Sequence, residues 1–134
     1  MKHYEVTAAI LVNNNEILCM QRGVSKYDYI SYKYEFPGGK VEAGETKEES
    51  LHRELVEELE LCVEVKPENH FLTVKYSYPD FMITMHSYIC YVSNRKINRK
   101  EHISSVWLKT DKLYSLDWAA ADIPIVDKLV EAAI

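Results

Sequence analysis

Three glutamates in the middle of the chain have the spacing of a shared helix face. Glu54, Glu57 and Glu58 stand at positions i, i+3 and i+4, in a segment rich in Glu and Leu that contains neither Gly nor Pro. Like charges on one helix face repel each other. A hard divalent cation such as Mg²⁺ or Mn²⁺ would turn that repulsion into ligation by carboxylate oxygens. The alternative is an ordinary acidic helix face exposed to solvent.

A short glycine-rich segment lies upstream of these glutamates. Gly38 and Gly39 allow the backbone to approach a ligand closely, and the adjacent Lys40 suits a phosphate oxygen. Two glycines alone would indicate only a turn, and a single lysine would indicate only a surface residue. Together with the three glutamates, they predict a site where a metal ion and phosphate groups meet.

The element that must position the glutamates is a helix predicted over residues 46–59. Thr46 and Glu49 have the spacing of a capping box, which marks the helix start. Leu51, Leu55 and Leu59 form an i, i+4, i+8 ridge beside the acidic face. We expect this ridge to pack against a sheet and so to fix the direction of the carboxylates.

Most of the remaining chain reads as strands and turns, which predicts an α/β or α+β fold in layers. Residues 23–33 and 38–45 are predicted loops, residues 109–116 a short helical connection and residues 123–133 a C-terminal helix. The predicted strands are residues 4–12, buried on both faces, and residues 16–21, 34–36, 62–65, 71–78, 81–92 and 103–108.

Size and composition limit the possible functions. The 134 residues, 47% hydrophobic and 28% charged, predict one globular domain over residues 1–134. The net charge of −5 disfavours binding to polymeric nucleic acid, so positive charge for a phosphate ligand must be supplied locally. No apolar run would span a membrane, and the three cysteines without a CxxC pair favour reduced cytoplasmic thiols. None of the five histidines has the spacing of a metal ligand.

One segment resembles the signature of a known family. Residues 39–61 resemble the Nudix box, GX5EX7REUXEEXGU with U aliphatic, and every fixed position matches except Glu60, where the family has Gly. The flanks resemble the MutT-type and CTP pyrophosphohydrolase branches over nearly the whole length. Because that Gly ends the helix, its replacement is expected to weaken the helix end and to leave the metal ligands unchanged.

The resemblance implies an α/β/α sandwich with a mixed central sheet, the Nudix-box helix and a C-terminal helix. It also implies roles for particular residues. Glu45 and Arg53 match an ion pair that orients the helix, and Glu54, Glu57 or Glu101 would take a proton from water. The implied metal ligands are Gly38, through its carbonyl, and Glu54, Glu57, Glu58 and Glu101, the last of which has solvent exposure as its alternative. The implied substrate-binding residues are Arg22, Glu35, Phe36, Pro37, Gly38, Gly39, Lys40, Tyr78 and Asp122.

The activity implied is Mg²⁺-dependent hydrolysis of a nucleoside triphosphate to monophosphate and pyrophosphate, with Mn²⁺ as a substitute cofactor. Asp122 stands where MutT-type enzymes have an Asn that reads oxidised guanine. An ionised carboxylate only accepts hydrogen bonds, so Asp122 favours the N4 amino group of cytosine over oxidised guanine. The expected substrates are therefore CTP, dCTP or modified pyrimidine nucleotides rather than 8-oxo-dGTP. The alternatives are an N-cap role for Asp122, an 8-oxo-dGTP diphosphatase, and a nucleotide sensor without activity. Phe36, Tyr78 and Trp118 are candidates for stacking on the base, with packing in the core or in a hairpin as the favoured alternative for each. The sequence does not specify an oligomeric state.

Overall fold

The computed structural model describes residues 1–132 and has a seven-stranded mixed sheet with one α-helix on each face. Ala133, the last residue of the predicted C-terminal helix, lies outside the described residues. Short 3₁₀ turns are formed by Pro67–Asn69, Thr110–Ser115 and Ala120–Asp122. The main elements are β1 (Lys2–Asn13), β2 (Glu16–Gln21), β3 (Tyr34–Glu35), β4 (Gly38–Lys40), α1 (Lys47–Leu59), β5 (His70–Ser77), β6 (Phe81–Tyr91), β7 (Ser104–Leu108) and α2 (Ile123–Ala132).

Strand β1 is the centre of the sheet. It pairs in parallel with β6 from Lys2 to Val12, and β6 pairs antiparallel with β5. The other edge of β1 is shared, because β2 pairs with its last two residues and β4 pairs antiparallel with Val6, Thr7 and Ala8. Strand β2 in turn pairs with β3 and β7. The sheet therefore opens between β1 and β2, and the glycine-rich strand β4 fills the opening.

Two apolar layers cover the two faces of the sheet. The leucine ridge of α1 is fully buried on one face, and Ile125, Val126 and Leu129 of α2 are buried on the other. Successive residues of β1 contribute to opposite layers, which explains its continuous apolar run. Each buried leucine contributes about 1.5–3 kcal/mol, so the ridge fixes the rotation of α1 as predicted. The predicted layered fold is confirmed.

Two predicted elements differ from the structure. Gly38–Lys40 was predicted to lie in a loop but forms strand β4, because the exposed ladder groups of β1 supply its hydrogen-bonding partners. Residues 62–65 were predicted to form a strand but have no regular structure. There the chain turns back under α1, and His52 Nδ1 lies 2.7 Å from the Val63 carbonyl oxygen, which a strand would have used in a ladder. Within residues 1–132, no helix is long and apolar enough to cross a bilayer.

Candidate active site

Helix α1 begins where the sequence predicts. The Thr46 hydroxyl accepts a 3.1 Å hydrogen bond from the Glu49 amide, and Glu49 Oε1 accepts a 2.8 Å hydrogen bond from the Thr46 amide. This reciprocal capping box satisfies two amides that the first helical turn leaves unpaired. With the start fixed by the cap and the rotation fixed by the leucine ridge, the acidic face of α1 is held toward β4.

Glu54 lies directly against the glycine-rich strand. A Cβ atom at Gly39 would stand 2.4 Å from the Glu54 carboxyl carbon and within 2.6 Å of both its oxygens. Only glycine therefore allows the carboxylate to occupy this position. Burial is the main cause that raises the pKa of Glu54, and the charges of Glu57 and Glu101 act in the same direction, against the lowering effect of Arg53.

Glu58 is the most enclosed of the three glutamates. It is 7% exposed, and its Oε2 atom is buried without a hydrogen-bond partner. Burial, followed by the charges of Glu54, Glu101 and Glu35, raises the pKa of Glu58 to about 9, while the Gly38 amide lowers it. A buried carboxylate oxygen without a hydrogen-bond partner is unusual in a folded protein. Its free oxygen and its acidic neighbours fit a divalent cation, which would compensate their charge.

Arg53 holds more carboxylates than the sequence predicts. Its Nε and Nη2 atoms form a bidentate pair with Glu45 at 2.7 and 3.0 Å. Its Nη1 atom also lies 3.0 Å from Glu54 Oε1 and 3.1 Å from Glu57 Oε2. The Glu57 side chain is 58% exposed and turns toward this guanidinium. In the part of the chain described, no three acidic, histidine or cysteine side chains converge as a ready metal cage, so the ligand roles stay predictions.

Glu101 lies in the connection between β6 and β7. It is exposed, as the alternative interpretation holds. However, its charge contributes to the raised pKa of both Glu54 and Glu58, and the amide of the preceding Lys100 donates a 3.2 Å hydrogen bond to the Glu58 carbonyl. The structure thus brings the backbone next to Glu101, from a distant part of the sequence, into contact with the end of the helix.

A cavity of about 410 Å³ opens beside β4. Most of the predicted substrate-binding residues line it: Arg22, Glu35, Phe36, Gly38, Gly39, Lys40, Tyr78 and Asp122. Pro37 and Trp118 do not. The Pro37 carbonyl accepts a 2.7 Å hydrogen bond from the Ala9 amide, and Trp118 stacks behind Phe36 with ring centres 4.8 Å apart. A second cavity of about 470 Å³, lined by residues around Cys62 and Tyr91, holds none of the predicted site residues.

The inner end of the cavity is polar and buried. Asp122 is 5% exposed, and its Oδ2 atom accepts a 3.1 Å hydrogen bond from the Phe36 amide. Burial, followed by the charge of Glu35, raises the pKa of Asp122 well above its usual range, while the Phe36 amide and Arg22 act against this. Helix α2 begins one residue after Asp122. Because the side chain binds Phe36, and no bond from it to the first α2 amides is seen in residues 1–132, its geometry favours the cavity role over the N-cap.

Sequence reasoning missed several residues of this region. His102 was not among the predicted site residues, but it is buried, and its Nε2 atom lies 2.9 Å from Glu35 Oε2. On its other side, Glu35 accepts a 3.3 Å bond from Arg22. Tyr27 and Phe81 add aromatic walls to the cavity, with ring centres 5.3 Å apart. The only signal in the sequence was the abundance of aromatic residues, ten of them tyrosines.

Comparisons with known proteins identify the family. Residues 1–129 match the NUDIX domain. The 8-oxo-dGTP diphosphatase of Escherichia coli K12 is 33% identical over 96% of this chain and 98% of its own length. The CTP pyrophosphohydrolase of the same organism is 30% identical over 95% of this chain and 91% of its own length. A solved MutT protein of the Nudix hydrolase family, from methicillin-resistant Staphylococcus aureus 252, is 35% identical over 98% and 99% of the two chains, with a TM-score of 0.77. With the box and the fold in agreement, this chain belongs to the Nudix family and is a Nudix hydrolase.

Proposed function

We propose that this chain hydrolyses a nucleoside triphosphate to the monophosphate and pyrophosphate, using a divalent cation. The observation that carries the proposal is the pair Glu54 and Glu58, two desolvated carboxylates beside β4 at the edge of an aromatic cavity. The cavity offers room for a nucleobase, and the strand edge offers room for phosphates. Both relatives from Escherichia coli carry names of nucleotide-cleaving enzymes.

The residues that would hold the cation are Glu54, Glu57, Glu58, Glu101 and the carbonyl of Gly38. Mg²⁺ fits this oxygen-rich set, and Mn²⁺ is a suitable substitute. When bound, the ion neutralises phosphate charge and makes a coordinated water more acidic. Glu54, Glu57 or Glu101 accepts the proton from the attacking water.

Lys40 and Arg22 are the proposed partners of the phosphate oxygens. Lys40 lines the cavity, and its Nζ atom lies 4.1 Å from the centre of the Tyr4 ring. Arg22 lines the same cavity from the end of β2, although it also pairs with Glu35. Positive charge next to the transferred group stabilises the transition state when it is oriented before the reaction.

In this proposal the preferred nucleobase depends on the ionisation of Asp122. Cytosine, the base favoured by the sequence, requires an ionised carboxylate that accepts from its N4 amino group. The burial of Asp122 favours instead the neutral acid, which donates one hydrogen bond and accepts others, as the Asn of MutT-type enzymes does. A neutral Asp122 suits the O6 carbonyl of an oxidised guanine. This specific observation favours 8-oxo-dGTP as substrate, with CTP and dCTP as the second candidates.

A panel of nucleoside triphosphates, offered with Mg²⁺, tests the proposal through release of monophosphate and pyrophosphate. We expect turnover of at least one member, with 8-oxo-dGTP preferred. Nucleotide binding without any product would support a sensor and contradict the proposal. Glu57→Gln and Glu58→Gln should each remove most activity while circular dichroism shows an intact fold, and near-normal rates would refute their ligand role.

The substitution Asp122→Asn separates the two bases. An amide keeps both a donor and an acceptor, so a preference for 8-oxo-dGTP should survive if Asp122 acts as a neutral acid. A preference for cytosine nucleotides should instead fall by about 1–3 kcal/mol in relative kcat/KM if Asp122 acts as a carboxylate. Asp111→Asn, at an exposed position outside the cavity, is the matched control.

A further inference from the structure

Helix α1 ends at a strained residue. Glu60, the C-cap, has φ 53° and ψ 37°, the left-handed conformation that glycine adopts without penalty. Its amide donates to the carbonyls of Leu55 and Val56, which closes the helix in the ordinary way. Glycine at this position would therefore give the backbone a lower conformational energy than glutamate does. The contacts of the Glu60 side chain therefore need a separate explanation.

The Glu60 carboxylate binds the segment that precedes Glu101. It accepts a hydrogen bond from the Asn98 side-chain amide, and Lys100 Nζ lies 3.7 Å from its Oε2 atom. Two backbone bonds lie alongside: the Asn98 amide donates to the Leu59 carbonyl at 2.9 Å, and the Lys100 amide donates to the Glu58 carbonyl at 3.2 Å. Residues 98–100 are therefore fastened to the last turn of α1 by both side chains and backbone.

The fastening lies in the middle of the connection between β6 and β7, which Arg95 holds on one side through Asn13 and Glu16, and His102 on the other through Glu35. Residues 92–103 join β6 to β7 without a helix or a strand, and Asn98, Lys100 and Glu101 are all exposed. Glu101 directly follows Lys100, whose amide donates to the Glu58 carbonyl, so the Glu101 backbone lies next to the end of α1. Its place beside α1 is set on one side by the contacts of residues 98–100 with the end of the helix, and on the other side by His102, which lies 2.9 Å from Glu35.

We propose that Glu60 is a positioning residue, which holds residues 98–100 on the end of α1 and thereby sets Glu101 beside Glu54 and Glu58. The inference rests on the proposed function in one respect, since the role of Glu101 at the cation is part of that proposal. It gives a physical reason for a glutamate at the one position where the Nudix box of this chain departs from the family pattern.

The substitution Glu60→Gly tests the inference because its two effects have opposite signs. Glycine relieves the left-handed strain, so the melting temperature should stay the same or rise. Loss of the carboxylate should lower kcat about three- to tenfold with little change in KM, the size of one exposed ion pair and one charge-assisted hydrogen bond. Glu60→Gln still accepts a hydrogen bond from Asn98 but loses the pairing with Lys100. Its kcat should therefore lie between those of the wild type and Glu60→Gly. A melting temperature that falls together with kcat would mean a merely structural role and would overturn the proposal.

Two further measurements do not depend on turnover. Hydrogen exchange at the Asn98 and Lys100 amides should become faster in Glu60→Gly, and Mn²⁺ alone should bind more weakly, about threefold or more. Unchanged exchange overturns the anchor. Faster exchange with unchanged Mn²⁺ affinity overturns its link to Glu101. If the wild type hydrolyses no triphosphate, the proposed function fails, and these two results still decide the inference.

A double variant shows whether Glu60 acts through Glu101. In a Glu101→Gln background, Glu60→Gly should cause no further loss of kcat or of Mn²⁺ affinity, because the group it positions is already gone. Losses that multiply independently would show that Glu60 acts by another route and would refute the proposal.

Discussion

Replacing Gly39 by alanine should lower the rate of hydrolysis without destabilising the fold. Gly39 lies in β4, opposite Thr7 of β1, and the nearest atoms to an added Cβ are all in the Glu54 carboxylate. That carboxylate is the end of a flexible side chain and can swing away. The strand itself gains a residue that loses less entropy on folding than glycine does. We expect the melting temperature to stay the same or to rise slightly.

The size of the effect on activity follows from the distances. The added Cβ would stand 2.4 Å from the Glu54 carboxyl carbon, whereas ordinary van der Waals contact begins at 3.4 Å. The carboxylate must therefore move by about 1 Å, and a displacement of that size in a reacting constellation lowers the rate by about 100-fold. The same movement should weaken Mn²⁺ binding, because Glu54 is one of the proposed ligands.

The assay compares Gly39→Ala with Gly38→Ala in steady-state kinetics and thermal unfolding. At Gly38, with φ 156°, an added Cβ would stand 2.0 Å from the Thr7 carbonyl oxygen, which is backbone and cannot swing away. Gly38→Ala should therefore lower the melting temperature, while Gly39→Ala should lower mainly kcat/KM. A Gly39→Ala enzyme with a rate within threefold of wild type would refute the argument that this carboxylate must lie against the strand.

Three further predictions concern the core, the ion pair and the cation. Leu55→Ala should destabilise the protein by about 2–5 kcal/mol in urea unfolding, because Leu55 is fully buried, whereas Val56→Ala, on the exposed face, should change little. Hydrogen bonding to Arg53 lowers the pKa of Glu45 to about 2 from 4.5, so its stabilising contribution is complete above pH 4.5 and disappears as the pH falls toward 2. Glu45→Gln should accordingly flatten the dependence of the urea midpoint on pH in that interval, and an unchanged slope would contradict the pairing. Removal of divalent ions with EDTA should abolish hydrolysis, and Mg²⁺ or Mn²⁺ should restore it; activity that survives chelation would exclude the proposed cofactor.

Local chemistry made α1 predictable. Its start depends on Thr46 and Glu49, and its orientation depends on leucines spaced at i and i+4. Both rules act within one helix, so the sequence contains all the information they need. The same holds for the β1–β2 hairpin, where three asparagines mark the turn and the predicted bounds of β2 agree with the structure.

Rules that act within one helix or hairpin could not predict the contacts between distant segments. Strand β4 forms because β1 has a free edge at Val6–Ala8, and the sequence of Gly38–Lys40 gives no indication of that edge. Asp122 meets the Phe36 amide across 86 positions of sequence, and His102 meets Glu35 across 67. The side chains were identifiable as candidates by type, but their partners, burial and pKa changes depend on the tertiary fold.

The parallel pairing of β1 with β6 has a consequence for synthesis of the chain on the ribosome. From Lys2 to Val12, each residue of β1 pairs with a β6 residue that lies 79 positions later in the sequence, Lys2 with Phe81 and Val12 with Tyr91. At a translation rate of about 5–20 residues per second, that partner emerges roughly 4–16 s after the strand that needs it. During this interval an apolar strand has an open edge, the condition under which nascent chains pair with one another. Nascent-chain chaperones that bind extended apolar segments should therefore engage the first strand of this enzyme.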